Sequence, residues 1–162
     1  GFRPALSNDR PMNLDFESGD LSDWEARGSI AAKLPSTSDA SKPSANDVES
    51  KHQGKFWLGT FAGGNDKLIG ETISRPFILT HAWASFLVSG GKSSNTCVEI
   101  ISEQSGKVLH TATGTETETM RREVADLSAW KGTAVRIRVV DHNQDPWGHI
   151  GFDDFRLHSE KP

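Results

Sequence analysis

The sequence predicts an all-β fold, a single antiparallel β-sandwich of the jelly-roll type. Three observations lead there. No stretch sustains a helical period, and no repeat of fixed length appears. Instead, about ten short apolar runs are separated by turn residues every ~8–12 positions, the spacing of a sandwich or jelly roll. The third observation is the run Val135 to Leu157, VRIRVVDHNQDPWGHIGFDDFRL, around which the rest of the chain is organised. Val135, Ile137 and Val139 alternate with Arg136 and Arg138, giving a strand with one apolar and one charged face. After the polar tip His142-Asn143-Gln144-Asp145-Pro146 and Trp147-Gly148, a second strand begins with inverted parity. Ile150 and Phe152 share one face, whereas Phe155 and Leu157 fall on the other. A β-bulge at Asp153-Asp154 repairs this, because one extra residue resets the register. Two adjacent carboxylates at a bulge point to a metal rather than to packing, and the loop before them is the place for a ligand.

The elements follow in order. Residues 1–12 are a polar lead-in, a linker or arm. Asn13 to Phe16 is predicted as a short strand with Leu14 and Phe16 inward, and Leu21 and Trp24 follow the Ser18-Gly19-Asp20 turn as core anchors. Glu25 to Leu34 reads as a second strand. Pro35 to Ser50, PSTSDASKPSANDVES, has nothing to bury and is expected to be mobile. Strand character resumes at Lys55–Phe61, ending at the Gly63-Gly64 turn. Leu68–Ser74 and Phe77–Leu79 are split by Pro76, which suits an edge or a break. Ala82–Val88, AWASFLV, is nearly all apolar and reads as a central buried strand, with Trp83 in the core. Thr96–Ser102 and Lys107–Ala112 form a hairpin about Gln104-Ser105-Gly106. Thr117–Val124 is another strand, and the turn 126–132 places Trp130 as a lid on the sandwich end. The module so defined spans residues 13–158, with 159–162 a tail.

Composition narrows the function. A chain of 162 residues suits one domain, burying ~70% of its unfolded surface. With 35% hydrophobic residues, no Tyr, 8 Phe and 5 Trp, the core is thin and aromatic. The net charge of −4, without clustered Lys and Arg, argues against nucleic acid as a partner. No apolar run approaches the ~18–20 residues of a membrane span. The single Cys97 leaves no internal disulfide and no thiolate metal site, and reads as a small buried hydrophobe on a strand. Gly1 and the lack of a leader predict a mature fragment or an excised domain.

The segments NLDFESGDLSDW, GETISRPFIL, WASFLVSGG and DLSAWKGTAVRIRVVD…WGHIGFDDFRL resemble the galactose-binding-like jelly rolls. They are similar in particular to accessory modules of secreted bacterial glycosidases and to a domain of large bacterial surface proteins with cytochrome-type domains. The likeness runs from about Asn13 to His158. It implies a non-catalytic carbohydrate-binding module of a secreted, periplasmic or cell-surface protein. Its partners would be a poly- or oligosaccharide and the other domains of the parent chain. It also implies a structural Ca²⁺ between the first and last strands, held by Glu17 and Asp153, with Asp15 and Asp154 as second choices. Elementary chemistry agrees, since Ca²⁺ takes six to eight oxygens from carboxylates and carbonyls, which a bulge and a turn supply. The competing view is that these acids face Arg136 and Arg138, or water.

A sugar site needs a flat aromatic with polar neighbours, so that C–H faces stack on the ring while hydroxyls find donors and acceptors. Trp147 has that setting, with His142, Asp145 and His149 nearby; the alternative is that it plugs the end of the sandwich. Trp57 flanks a polar loop and is the next candidate, on the concave face around Lys55. The six histidines show no zinc-helix spacing. The residues G-x-S-x-G, G-x-x-x-x-G-K-[ST] and H-E-x-x-H are absent, so no catalytic constellation assembles. Two other classes stay open: an architectural or protein-docking domain, and a glycoside hydrolase using Glu17, Asp153 and Asp154 as its carboxylates.

Overall fold

The computed structural model describes residues 2–3, 6–7, 10–31, 34–37, 50–60 and 67–162. Three short strands open the chain: β1 (Phe2–Arg3), β2 (Leu6–Ser7) and β3 (Arg10–Pro11). β4 (Trp24–Gly28), β5 (Ser36–Thr37), β6 (Phe56–Gly59), β7 (Gly70–Ser74) and β8 (Phe77–Ile78) follow. The longer strands close it: β9 (Trp83–Gly90), β10 (Thr96–Ser102), β11 (Val108–Ala112), β12 (Thr117–Asp126), β13 (Ala134–Asp141) and β14 (Ile150–His158). One six-stranded sheet runs β12-β9-β14-β6-β5, with β1 on β14; the other runs β11-β10-β13-β7-β4, with β8 on β13. All pairings are antiparallel, and sequence neighbours repeatedly fall in opposite sheets, the signature of a jelly roll.

The core between the sheets is aromatic at its centre. Phe16 stacks on Trp24 at 5.1 Å, and Phe152 meets both rings edge-on. Phe86 then links Phe152 to Phe155. The bulge in β14 makes this possible. Asp153 pairs with Leu87 and Arg156 with Ser85, so three steps on β14 answer two on β9. Asp154, at φ 53°, absorbs the extra residue. Ile150, Phe152, Phe155 and Leu157 consequently all reach the core. The β10–β11 hairpin, the central position of β9 and the buried, strand-borne Cys97 also match expectation.

Three elements differ from it. Residues 13–16 form turns, not a strand. The side chain of Asn13 explains this: its amide donates to Asp20 O and Ser22 O while its carbonyl accepts from Ser18 N, closing a local knot in place of a ladder. The second strand begins at Trp24, whose indole donates to Asn13 O at 2.7 Å, and stops at Gly28, well short of Leu34. Trp83 is not a core residue. Ala84, Phe86 and Val88 fill the inward face of β9, so parity turns Trp83 outward, half-buried beneath Lys161. The stretch AWASFLV looks buried throughout because apolar residues occupy both of its faces.

The lead-in is pinned to the sandwich: Phe2 and Arg3 pair with His158 and Leu157, and Arg10 forks the buried Asp23. The expected mobility of residues 35–50 and the turn at Gly63-Gly64 fall largely outside the described residues. Trp24→Ala should cost ~3–5 kcal/mol, the range for emptying a buried aromatic site, whereas Trp83→Ala should cost only about 1 kcal/mol. Urea melts of the two variants check this, and equal losses would mean that β9 presents the opposite face to the core.

Candidate functional site

Two clusters hold the candidate residues. The first is the loop between β13 and β14. Its tip is built from side-chain turns: Asn143 N donates to Asp141 Oδ1, and Asp145 N to Asn143 Oδ1 at 2.9 Å. Gly148 N closes on Asp145 O at 2.7 Å, and Gln144 exchanges bonds with Lys67, three residues ahead of β7. Trp147 then takes φ 63°, the left-handed region that a bulky residue rarely adopts. This conformation folds its ring over His149, with centroids 5.3 Å apart and planes 28° off parallel. His149 Nε2 in turn donates to the Glu118 carboxylate on β12. Trp147 is half-buried and backed by His149, while His142 and Asp145 of the same loop are exposed. His142 Nε2 lies 3.3 Å from Glu71.

Among the expected ligand residues, His149 and Trp57 are differently placed from the sequence reading. His149 is 4% exposed, so it supports Trp147 rather than facing a ligand. Trp57 is 5% exposed and lies flat on the outer face of its sheet. A Cβ at Gly59 would stand 2.4 Å from its ring, and one at Gly151 3.3 Å, so glycine at both positions makes room for the indole. His52 covers the other side, stacked at 5.5 Å. With both faces occupied, Trp57 offers no open platform.

The second cluster joins the segment 13–17 to the bulge. Gln53 N donates to Asp153 Oδ2 at 2.8 Å, while Lys55 N and Phe56 N donate to the Glu17 carboxylate at 3.0 Å. One short backbone stretch thus carries both principal acids. Asp15 Oδ1 accepts from Glu17 N nearby. Asp153 is fully buried, and its Oδ1 and the buried Gln53 Oε1 have no hydrogen-bond partner among the described residues. Burial, with Asp154 and Asp15 close by, pushes the Asp153 carboxyl up to about 9, despite the Gln53 amide. These are hard oxygen acceptors without donors, which suits a Ca²⁺-type ion. No three His, Cys, Asp or Glu side chains converge as a metal cluster among the described residues. A cation here would therefore draw on amide and main-chain oxygens as well.

Asp154 leaves the candidate metal set. Its carboxylate binds Arg122 at 2.5 Å and Arg156 at 2.9 Å, on the outer face of the sheet. Arg136 and Arg138 do not face these acids either, since they pair with Glu103 and with Glu99 in the opposite sheet. Sequence reasoning missed Glu118, Gln53 and Arg122. Each lies in an unremarkable polar stretch, and nothing local signals a partner 31, 100 or 32 residues away.

No family model matches the chain. A protein of Aspergillus rugulosus whose name, ecdE, carries a glycosyl hydrolase label is 32% identical over 151 residues. That stretch is 90% of this chain and 20% of the relative, so the chain spans about a fifth of its length. Among solved structures, TmCBM61 in complex with β-1,4-galactotriose superposes with a TM-score of 0.61 at 21% identity, covering 98% of this chain and 99% of its own. The K2 cleaved adhesin domain of Lys-gingipain gives 0.56 at 14% identity, over 89% and 96%. The fold is an antiparallel jelly-roll β-sandwich of the kind these two domains share. At such identities the likeness carries the architecture and not the ligand.

Gly54 is the sharpest local test of the second cluster. It takes φ 66°, and a Cβ there would stand 2.4 Å from the Glu17 carboxylate. Gly54→Ala should therefore lower stability by more than ~1 kcal/mol. An unchanged thermal melt would show that Glu17 is not seated on this turn.

Proposed function

We propose that this chain is a non-catalytic carbohydrate-binding module of a larger exported protein, with its glycan site at Trp147 and a structural Ca²⁺ near the β14 bulge. The observation that carries the glycan site is the stack of Trp147 on His149, itself anchored to Glu118. A sugar ring gains most from an indole held in place before it arrives, because no side-chain freedom is then lost on binding. His142 and Asp145, exposed on the same loop, would supply a donor and an acceptor to the sugar hydroxyls. The galactotriose held by the similarly folded TmCBM61 supports a β-galactoside oligosaccharide as the first ligand to try. Asp153 is sealed from solvent, which a general acid touching a substrate must not be, and this favours binding over cleavage. The hydrolase name belongs to a relative about five times longer than the stretch shared here.

Glu17, Asp153 and the Gln53 amide oxygen would hold the ion, which supplies positive charge to a carboxylate that burial otherwise keeps protonated. The chain's own residues do the rest: they bring β14 and the 13–17 turn onto one short segment.

Two measurements test the reading. Trp147→Ala should abolish calorimetric binding of β-1,4-galactotriose, at a wild-type affinity between millimolar and micromolar, or ~4–8 kcal/mol. The melting temperature should hardly move. Binding that survives puts the site elsewhere, a variant that unfolds makes Trp147 an end plug, and turnover of the oligosaccharide would revive the enzyme. For the metal, Ca²⁺ at ~100 times its Kd should add ~2.7 kcal/mol of stability, removable by EDTA and lost in Asp153→Asn. Identical melts with and without chelator would sink the ion.

A further inference from the structure

We propose that the end of the sandwich opposite Trp147 carries a second saccharide site, built on Trp130 and selective for a uronic-acid sugar. A cavity of about 490 Å³ opens there between the β10–β11 turn and the turn at 128–133. That volume lies within the ~300–1,000 Å³ of ordinary small-molecule sites. Its apolar lining comes from Trp130 and Leu109, both half-buried and packed against the core. The indole is held by its own turn. Trp130 N donates to Leu127 O, and the Thr133 hydroxyl donates to Trp130 O at 2.6 Å. Gly132 N then fastens the turn to Leu79 O at 2.7 Å. A main-chain bond joins the two walls, Glu103 N to Ala134 O at 3.0 Å.

The polar lining decides the ligand. Glu103 is already engaged by Arg136, which holds its carboxyl below the usual range, so it has little acceptor capacity left for a cation. The Lys107 ammonium and the Gln104 amide line the same cavity, are exposed, and hydrogen-bond to no other described residue. An indole with an uncommitted ammonium and an uncommitted amide fits a pyranose ring that bears a carboxylate. The C–H face stacks on Trp130, the carboxylate reaches Lys107, and ring hydroxyls meet Gln104. A neutral sugar would leave the ammonium unmatched. This site stands apart from the Trp147 reading, because the two loops leave opposite ends of β13.

The indole N–H resonances of the 5 tryptophans, followed by NMR during titration of the whole chain with trigalacturonate, test the site. The Trp130 signal should shift, and it should do so equally in Trp147→Ala. Lys107→Met, a change at an exposed side chain, should weaken the response roughly three- to tenfold without altering the melting temperature. A Trp130 signal unmoved at ~10 mM ligand overturns the site, since weaker binding than that is worth less than ~3 kcal/mol. Unchanged affinity in Lys107→Met, or an equal shift with neutral β-1,4-galactotriose, overturns the acidic selectivity. Loss of the shift in Trp147→Ala would assign the response to the other loop.

Discussion

The extra residue in β14 is the constraint on which the structure depends. Without Asp154 at φ 53°, Phe155 and Leu157 would point away from Phe86 and Phe77, and the aromatic core would lose half of its last strand. The same residue fixes the polar arrangement outside. One step before it, Asp153 is turned off the core face and buried beneath Gln53; at the bulge, Asp154 is aimed at Arg122 and Arg156. Two adjacent carboxylates thus receive opposite treatments. Asp154 is neutralised by guanidinium groups, and Asp153 is desolvated with no cation beside it among the described residues. A buried, unpaired carboxylate is among the costliest features a fold can keep, and it persists where protonation or a bound ion removes the charge.

This division was half legible in the sequence. The parity conflict between Ile150/Phe152 and Phe155/Leu157 is a local property of four side chains, so the bulge could be read from period two alone. Which acid is buried could not, because Arg122 lies on β12 and comes near only through the β12-β9-β14 order. Trp83 and Trp57 fail for related reasons. Both sit in apolar runs, and apolarity alone does not say which side of a sheet a residue occupies. Trp57 lies flat only because glycine recurs at Gly59 on its own strand and at Gly151 on the neighbour. Such a vacancy is visible once β6 and β14 are paired, and not before. Residues 13–16 fail differently: alternation in NLDF suggested a strand, but Asn13 satisfies with its side chain the groups that a ladder would have satisfied.

Trp147 shows what a sequence pattern conveys about a site and what it omits. A tryptophan after proline in a polar loop is conspicuous, and the loop does present it half-exposed. The neighbours that give the ring its stiffness are less conspicuous. His149 looked like a ligand because it is polar and adjacent; the structure makes it a buried prop, held by Glu118 from the next strand but one. A platform supported in this way exchanges direct polar contact for preorganisation, and weak ligands benefit more from the second.

The two ends of the sandwich follow one geometry. β13 spans 8 residues, which at ~3.3 Å per residue is roughly 26 Å between the loops that carry Trp130 and Trp147. Between them lies a close-packed core with Val135, Ile137 and Val139 facing inward, and such interiors transmit little to a loop unless a whole layer shifts. Each loop is fastened by bonds of its own, Thr133 to Trp130 at one end and Gly148 to Asp145 at the other. Changes at the two ends should therefore add without coupling, as separated sites do. The sandwich holds its ends apart, and the sequence of each loop is left free to choose its own chemistry.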